Sequence, residues 1–203
     1  ESLSYLSVTL VGANKDRTLL EVSKVDSGKS GFSSYKVNLG AKPIAPGSSV
    51  QLEIESTFTH LLDPYPEQIL QSEKQYVVYK GRIYFPTPYQ TDTQTTRVRL
   101  PSSSGLESYT RLRPVTYSDR LISYGPYDKI APNTKPDEEL RVHVENNTPF
   151  LTTKNLQRSI QVSHWAGVIS VEEILDVSNT GAQLKGAFSR YEYQREPSTN
   201  GLS

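Results

Sequence analysis

Apolar and polar residues alternate with a period of two along most of the chain. The pattern is clearest at residues 50–55, where Val50, Leu52 and Ile54 are separated by polar side chains. Such alternation is typical of a strand in a sheet with one buried and one solvated face. The same pattern predicts strands at residues 5–11, 19–25, 34–39, 50–55, 75–79, 82–85, 95–100, 140–144, 159–164 and 168–177.

The most regular alternation surrounds Trp165, the only tryptophan. Residues 159–164 and 168–177 alternate on its two sides, and Ala166 and Gly167 lie between them. Gly167 suits a tight hairpin turn because glycine adopts positive φ without steric cost. The pattern therefore predicts a β-hairpin, and we expect the large Trp165 ring to anchor it against the core.

Helix signals are scarce. The best candidate is residues 66–73, where Pro66 would occupy the first turn and Glu67 would lie near the positive end of the helix dipole. Short alternating segments separated by turn residues such as Lys80-Gly81 are typical of antiparallel sandwiches. The sequence thus predicts an all-β, antiparallel β-sandwich-like fold with few or no helices.

Composition narrows the classes of function. Lysine plus arginine and aspartate plus glutamate both number 22, so no net positive field attracts phosphate backbones, and nucleic acid is not an expected partner. No run of about 18 apolar residues is present to span a bilayer. Cysteine is absent, which excludes disulfides and thiolate chemistry.

Catalytic and metal-binding patterns are weak. The candidate metal ligands are His60, His143 and His164, but none of them has the spacing of a zinc motif. Gly28-Lys29-Ser30 resembles the end of a phosphate-binding loop, yet the residues after it alternate like a strand and indicate a hairpin turn instead. No Gly-x-Ser-x-Gly elbow occurs. We therefore expect no catalytic residue, no metal and no cofactor.

Tyrosine is unusually frequent, with 13 residues. Several tyrosines cluster with prolines within residues 63–89, and amphipathic rings are favoured at interfaces and at sugar-stacking surfaces. The alternative is that these rings are half-buried strand residues. If a partner surface exists, its candidate residues are Tyr65, Tyr76, Tyr84 and Tyr89.

An N-glycosylation sequon stands at Asn146-Asn147-Thr148. Asn147 does not satisfy the motif, because Pro149 occupies its third position. A sequon is informative only in a secreted or lumenal protein, where we expect Asn146 to bear a glycan.

Several blocks of sequence resemble the ribophorin I family. The resemblance rests on residues 164–173 and 180–195 around His164-Trp165-Ala166-Gly167, on residues 57–69 and 71–79, and on shorter matches at residues 84–85, 123–127 and 145–150. It implies two tandem lumenal β domains, each similar to the N-terminal domain of zinc aminopeptidases. On that basis we expect residues 1–150 to form a first domain, truncated at its N-terminal part. Residues 151–203 would form the opening strands of a truncated second domain; the alternative is that they pack on the first domain.

The resemblance also implies a function. Ribophorin I is a non-catalytic subunit of the oligosaccharyltransferase complex, so the expected role is support of N-linked glycosylation on the lumenal side of the endoplasmic reticulum. The implied partners are the other subunits, including the catalytic one, and nascent polypeptide. We expect the chain to be a processed or excised fragment, with a signal sequence and a membrane helix outside it. The alternatives are a β-sandwich hydrolase and a carbohydrate-binding module.

Overall fold

The structure is a computed structural model that describes residues 3–12, 15–25, 33–40, 44–101, 105–135 and 139–195. The segment Gly28-Lys29-Ser30 lies outside these ranges. The described elements are almost all antiparallel strands, which confirms the all-β class. They are β1 (Leu3–Val11), β2 (Arg17–Leu19), β3 (Glu21–Val25), β4 (Ser34–Asn38), β5 (Gln51–Phe58), β6 (Leu62–Pro64), β7 (Gln68–Ile69), β8 (Tyr76–Gly81), β9 (Thr91–Arg99), β10 (Leu106–Tyr109), β11 (Val115–Ser118), β12 (Leu121–Ile130), β13 (Leu140–Glu145), β14 (Leu151–Ser163), β15 (Val168–Asn179), β16 (Gln183–Leu184) and the helix α1 (Arg190–Arg195).

The chain divides into two compact units, Glu1–Leu61 and Leu62–Ser203. In the first unit, β1 lies between β2 and β5, and β3 pairs with β4 as a separate hairpin. Val8 of β1 is buried, whereas the residues of β5 are exposed. The expected boundary at residue 150 falls inside the second unit and stays a prediction.

Two antiparallel sheets form the core of the second unit. Their strand orders are β10-β13-β8-β6 and β11-β12-β9. One buried cluster draws side chains from both sheets, with Val77, Leu140 and Val142 from the first and Ile122 and Tyr124 from the second. This arrangement is a β-sandwich, in which each sheet turns one apolar face to a shared core.

Strand β13 shows how alternation positions side chains on the first sheet. Leu140, Val142 and Val144 are buried in the shared core. Because successive side chains of a strand point to opposite faces, the intervening Arg141 and His143 lie on the outer face of the sheet.

The hairpin β14–β15 confirms the strands predicted around the tryptophan. Its two strands pair in antiparallel register from Leu151↔Asn179 to Ser163↔Val168, and Gly167 in the turn has φ 64°. Beyond the hairpin, the chain returns to the sandwich: β16 pairs in parallel with β7, through Gln183↔Gln68 and Leu184↔Ile69.

Two local predictions are wrong. Residues 66–73 form no helix, because Gln68 and Ile69 pair with β16 and a turn follows them. Residues 82–85 form no strand, because the Ile83 carbonyl accepts hydrogen bonds from the side chains of Gln94 and Thr96 instead of a neighbouring strand. The expected likeness to zinc aminopeptidases stays a prediction. In the described ranges, no helix has the length and apolar composition to cross a bilayer.

Candidate functional site

The sequon lies directly after β13, in a tight turn. The Asn146 Oδ1 accepts hydrogen bonds from the backbone nitrogen and the hydroxyl of Thr148, at 3.0 and 2.5 Å. These bonds leave the Asn146 Nδ2, the atom that a glycan joins, without a hydrogen-bond partner in the described part of the chain. Asn146 is partly exposed. The geometry is therefore compatible with a glycan at Asn146, which stays a prediction.

A buried glutamine fixes the sequon turn in place. Gln75 is only 9% exposed. Its Nε2 donates to the carbonyls of Asn146 and Thr148, at 2.7 and 3.3 Å, and its Oε1 accepts from the backbone nitrogen of Ala182 at 2.9 Å. Gln75 thereby ties the sequon to the segment that returns after the hairpin. Its side chain is fully hydrogen-bonded, as a buried amide must be.

Glycine is required where the returning segment crosses Gln75. A Cβ built on Gly181 would approach the Gln75 Oε1 closer than any real side chain does. The amide of Gly181 is held by the Oδ1 of Asn179 at 3.0 Å, and the same oxygen accepts from Phe150. The two ends of the hairpin are therefore joined at the point where the chain leaves and re-enters the sandwich.

An ion pair lies beside the sequon. The Lys74 Nζ is 3.0 Å from the Glu145 Oε2, and Asn147 donates to the other carboxylate oxygen at 2.6 Å. The hydrogen bond from Lys74 lowers the pKa of Glu145 below its ordinary value, and the reciprocal bond raises the pKa of Lys74. Solvent screening keeps the stabilisation from this surface pair small.

The four candidate interface tyrosines fall into two groups. Tyr65 and Tyr89 are exposed, at 62% and 76%, as expected of rings that contact a partner. Tyr76 and Tyr84 are half-buried. The Tyr84 ring packs against the core and meets Tyr127 edge-on at 5.3 Å, which favours a structural role for this ring.

The Tyr89 ring stands on a loop whose backbone is held by side chains. The backbone nitrogen of Phe85 donates to the Gln94 Oε1 at 3.0 Å, and the Gln94 Nε2 donates to the Ile83 carbonyl at 2.6 Å. Phe85, like Tyr89, is exposed. The loop therefore presents two aromatic rings to solvent from a fixed base.

The rings of Tyr65 and Tyr76 both lie close to the His143 ring. Both ring centroids are 5.6 Å from the imidazole centroid. The His143 Nε2 lies 3.0 Å from the Tyr65 carbonyl, and this nitrogen must donate because a carbonyl only accepts. The bond fixes the ring orientation of His143 on the outer face of the sheet.

The three histidines are not brought together as a metal site in the described part of the chain. His143 lies on β13 and His164 in the hairpin turn, both in the second unit, and His60 belongs to the first unit. Among the described residues, no three His, Cys, Asp or Glu side chains are grouped so that they could hold a metal ion.

The prediction that Trp165 packs against the core is wrong. Its side chain is fully exposed at the tip of the hairpin. The reason is that β14 and β15 pair only with each other in the described ranges, so no second layer of structure lies against their turn. Gly167 takes the turn position predicted for it.

Gln75, Ser108 and Arg141 are not among the site residues that the sequence predicts. No local signal marks Gln75, because its partners lie more than 70 positions away. Arg141 could have been found, since the predicted strand at residues 140–144 places it with His143 on the polar face.

The fold and its surfaces define an all-β protein whose accessible features are exposed sheet faces, aromatic loops and a sequon. The family model of ribophorin I matches residues 1–202, and the chain belongs to the ribophorin I family.

Three relatives are named as subunits of dolichyl-diphosphooligosaccharide–protein glycosyltransferase. Subunit 1 of Caenorhabditis elegans is 37% identical over 97% of this chain and 33% of the relative. Subunit 1B of Arabidopsis thaliana is 38% identical over 83% of this chain and 35% of the relative. Subunit 1B of Oryza sativa subsp. japonica is 34% identical over 91% of this chain and 38% of the relative. The chain spans about a third of the length of these curated relatives.

Proposed function

We propose that this chain is a non-catalytic lumenal part of an oligosaccharyltransferase subunit in the endoplasmic reticulum. It supports N-linked glycosylation by bracing the complex and presenting nascent polypeptide to the catalytic subunit. The main support is the family match over residues 1–202 together with relatives named as subunit 1 of the glycosyltransferase. The fixed aromatic loop and the exposed hairpin are surfaces of the kind that an assembly covers.

The proposal extends to the domain organisation. On one face of the hairpin β14–β15, apolar residues pair across the strands, and each of them is about half exposed or more. They are Leu156, Ile160 and Val162 on β14 and Leu175, Val171 and Ile169 on β15. The opposite face is mainly polar, with Gln161 paired to Ser170 and Ser159 to Glu172.

A two-stranded sheet with one apolar face needs a second layer to be stable in water. We therefore retain residues 151–203 as the opening of a second β domain, completed by other parts of a longer subunit. The returning segment modifies this proposal, because Ala182, Gln183 and Leu184 bond to residues of the sandwich. The strands of the second domain are thus residues 151–179.

Affinity purification tests the assembly role. The intact protein, tagged and purified from solubilised endoplasmic reticulum membranes, is expected to recover the catalytic subunit, and its depletion is expected to lower glycan occupancy on reporter glycoproteins. A subunit of an unrelated membrane complex, tagged and extracted in the same way, serves as the control. Recovery of the protein alone, with unchanged occupancy after depletion, would contradict the proposal.

A further inference from the structure

The outer face of the sheet β10-β13-β8-β6 contains a groove of about 400 Å³. Its floor includes Val78, which is nearly buried although it faces away from the sandwich core. The groove is lined by Tyr65, Val78, Ser108, Tyr109, Thr110, Arg141 and His143. This volume is within the range of sites that bind small ligands or a few side chains of a peptide.

Positive charge in the groove is not neutralised by the protein. In the described part of the chain, the Arg141 guanidinium makes no ion pair or hydrogen bond. Asp63, which lies on the same sheet, is already paired with Lys80 at 2.8 Å.

Further polar groups are positioned around Arg141. Ser108 is the direct cross-strand partner of His143, and its hydroxyl has no hydrogen-bond partner among the described residues. The His143 ring is held by the Tyr65 carbonyl, to which Nε2 donates. A guanidinium fork with an adjacent hydroxyl is suited to the two oxygens of a carboxylate.

The walls of the groove indicate which kind of group in the ligand lies next to the carboxylate. The Tyr65 ring, which contacts His143, lies at this groove, and rings of this type pack against apolar groups while their hydroxyls remain in water. The groove lies open along the face of a sheet, which suits an extended chain better than an enclosed small molecule. We propose that it binds an acidic segment of an extended polypeptide, with the carboxylate held by Arg141 and a neighbouring apolar side chain against the Tyr65 ring.

This binding deepens the proposed presentation of nascent polypeptide, on which it rests. It can be tested apart from assembly, because the chain can join the complex whether or not the groove is occupied. A neutral glycan is the main competing ligand, since aromatic rings and hydroxyls also suit sugars. Charge decides between the two ligands: an unpaired guanidinium gains more from a carboxylate than from a sugar hydroxyl.

Fluorescence anisotropy with the intact protein and short labelled peptides tests the proposal. The probe has one central glutamate between leucines, and the matched peptide has glutamine instead. We expect the glutamate peptide to bind, with affinity falling as salt is raised, and the glutamine peptide to bind at least about tenfold more weakly, because one charged hydrogen-bonding pair is lost. Equal binding of the two peptides, or binding of a chitin oligosaccharide without binding of the acidic peptide, overturns the proposal.

Arg141→Gln is the decisive variant, with Arg97→Gln as its matched control. Arg97 is exposed on β9 and lies on the outer face of the other sheet, so its replacement removes the same charge away from the groove. We expect Arg141→Gln to weaken binding of the glutamate peptide at least about tenfold. Arg97→Gln should leave the affinity within about twofold of that of the parent. Equal losses in the two variants overturn the proposal. Co-purification of the Arg141→Gln protein with the catalytic subunit tests the proposed function separately.

Discussion

The side-chain amide of Gln71 and the backbone of Ser189 form two reciprocal hydrogen bonds, although the residues lie 118 positions apart. The Gln71 Nε2 donates to the Ser189 carbonyl at 2.9 Å, and the Ser189 nitrogen donates to the Gln71 Oε1 at 2.8 Å. Together with the bonds of Gln75, they attach the segment after the hairpin to the turn before β8. The hairpin therefore projects from the sandwich and is held to it at both of its ends.

Replacing Gln75 with alanine is expected to destabilise the chain by about 2–3 kcal/mol, because the carbonyls of Asn146 and Thr148 and the nitrogen of Ala182 lose their partner in a nearly dry site. Urea unfolding measures the change. Gln161→Ala on the exposed polar face of the hairpin is the matched control and should stay within about 0.5 kcal/mol of the parent. A Gln75→Ala protein as stable as this control would show that water replaces the network without loss.

Local alternation explains which strands the sequence predicts well. Strands β13 and β15 were predicted because their apolar residues recur at every second position. Strand β12 is not predicted, because Gly125 and Pro126 interrupt its alternation of apolar and polar residues and are typical of a turn. The structure accommodates Pro126 at a register shift between Tyr124 and Tyr127, where the strand does not need its backbone nitrogen for pairing.

Long-range pairing explains the remaining differences. Pro66 and Glu67 satisfy the local rules for a helix start, but pairing of Ile69 with Leu184 over more than 100 positions fixes the backbone in an extended form. The groove likewise joins residues from three strands and two loops. Sequence periodicity gives the face on which each side chain lies but not which strands become neighbours.

The Trp165→Ala substitution is expected to change the free energy of unfolding by less than about 0.5 kcal/mol, because the side chain is fully exposed and loses no packing. A buried aromatic would lose about 3–5 kcal/mol. Ile122→Ala in the core serves as the contrast and should lose about 2–5 kcal/mol. Urea unfolding of the 203-residue chain measures both changes in the free energy of unfolding. A loss of several kcal/mol for Trp165→Ala would show that the ring packs against the core, as the sequence predicts.

Glycosylation is predicted at Asn146, whose Nδ2 is free in the described structure. After expression in a secretory pathway, Asn146→Gln and Thr148→Ala should each remove one glycosidase-sensitive shift on a gel. Asn147→Gln is the matched control, because it keeps the Asn-x-Thr motif. Persistence of the shift in Asn146→Gln would assign the glycan to a different asparagine.

Tyr124 is predicted to make stability fall at alkaline pH. Burial raises the pKa of its phenol from 10.0 to about 12, with smaller contributions from Tyr109 and Tyr127. A folded-state pKa above the unfolded one means that the stabilisation is complete below pH 10 and is lost as the pH rises towards 12. Above pH 10, the free energy of unfolding of the parent should fall by up to about 1.4 kcal/mol per pH unit because of this phenol, and Tyr124→Phe should remove that slope.

Chemical unfolding of the parent and Tyr124→Phe at neutral and alkaline pH measures that slope. The variant should be less stable by about 1 kcal/mol at neutral pH, because the Thr110 carbonyl loses the hydroxyl that lies 2.8 Å away. Tyr65→Phe, at an exposed ring, should be as stable as the parent at neutral pH. Parallel pH curves for the parent and Tyr124→Phe would contradict a buried, neutral phenol.

Replacing Tyr65 and Tyr89 together with alanine is predicted to weaken incorporation into the oligosaccharyltransferase complex. Both rings are exposed, and the Tyr89 loop is held by Gln94, so little conformational entropy is lost when a partner packs against it. Loss of a central aromatic contact costs about 1–2 kcal/mol of affinity per ring. Quantitative co-purification with the catalytic subunit, from cells that express only the variant, measures the effect.

The matched control replaces Tyr5 and Tyr191, which are also exposed but lie outside residues 63–89. Its co-purification should equal that of the parent, and both double variants should unfold as cooperatively as the parent. Equal recovery of the catalytic subunit by the two double variants would leave Tyr65 and Tyr89 without a role in assembly. If only the variant that lacks Tyr65 and Tyr89 recovers less of the catalytic subunit, and its fold is intact, the contact lies on the sheet face that carries Tyr65 and on the Tyr89 loop.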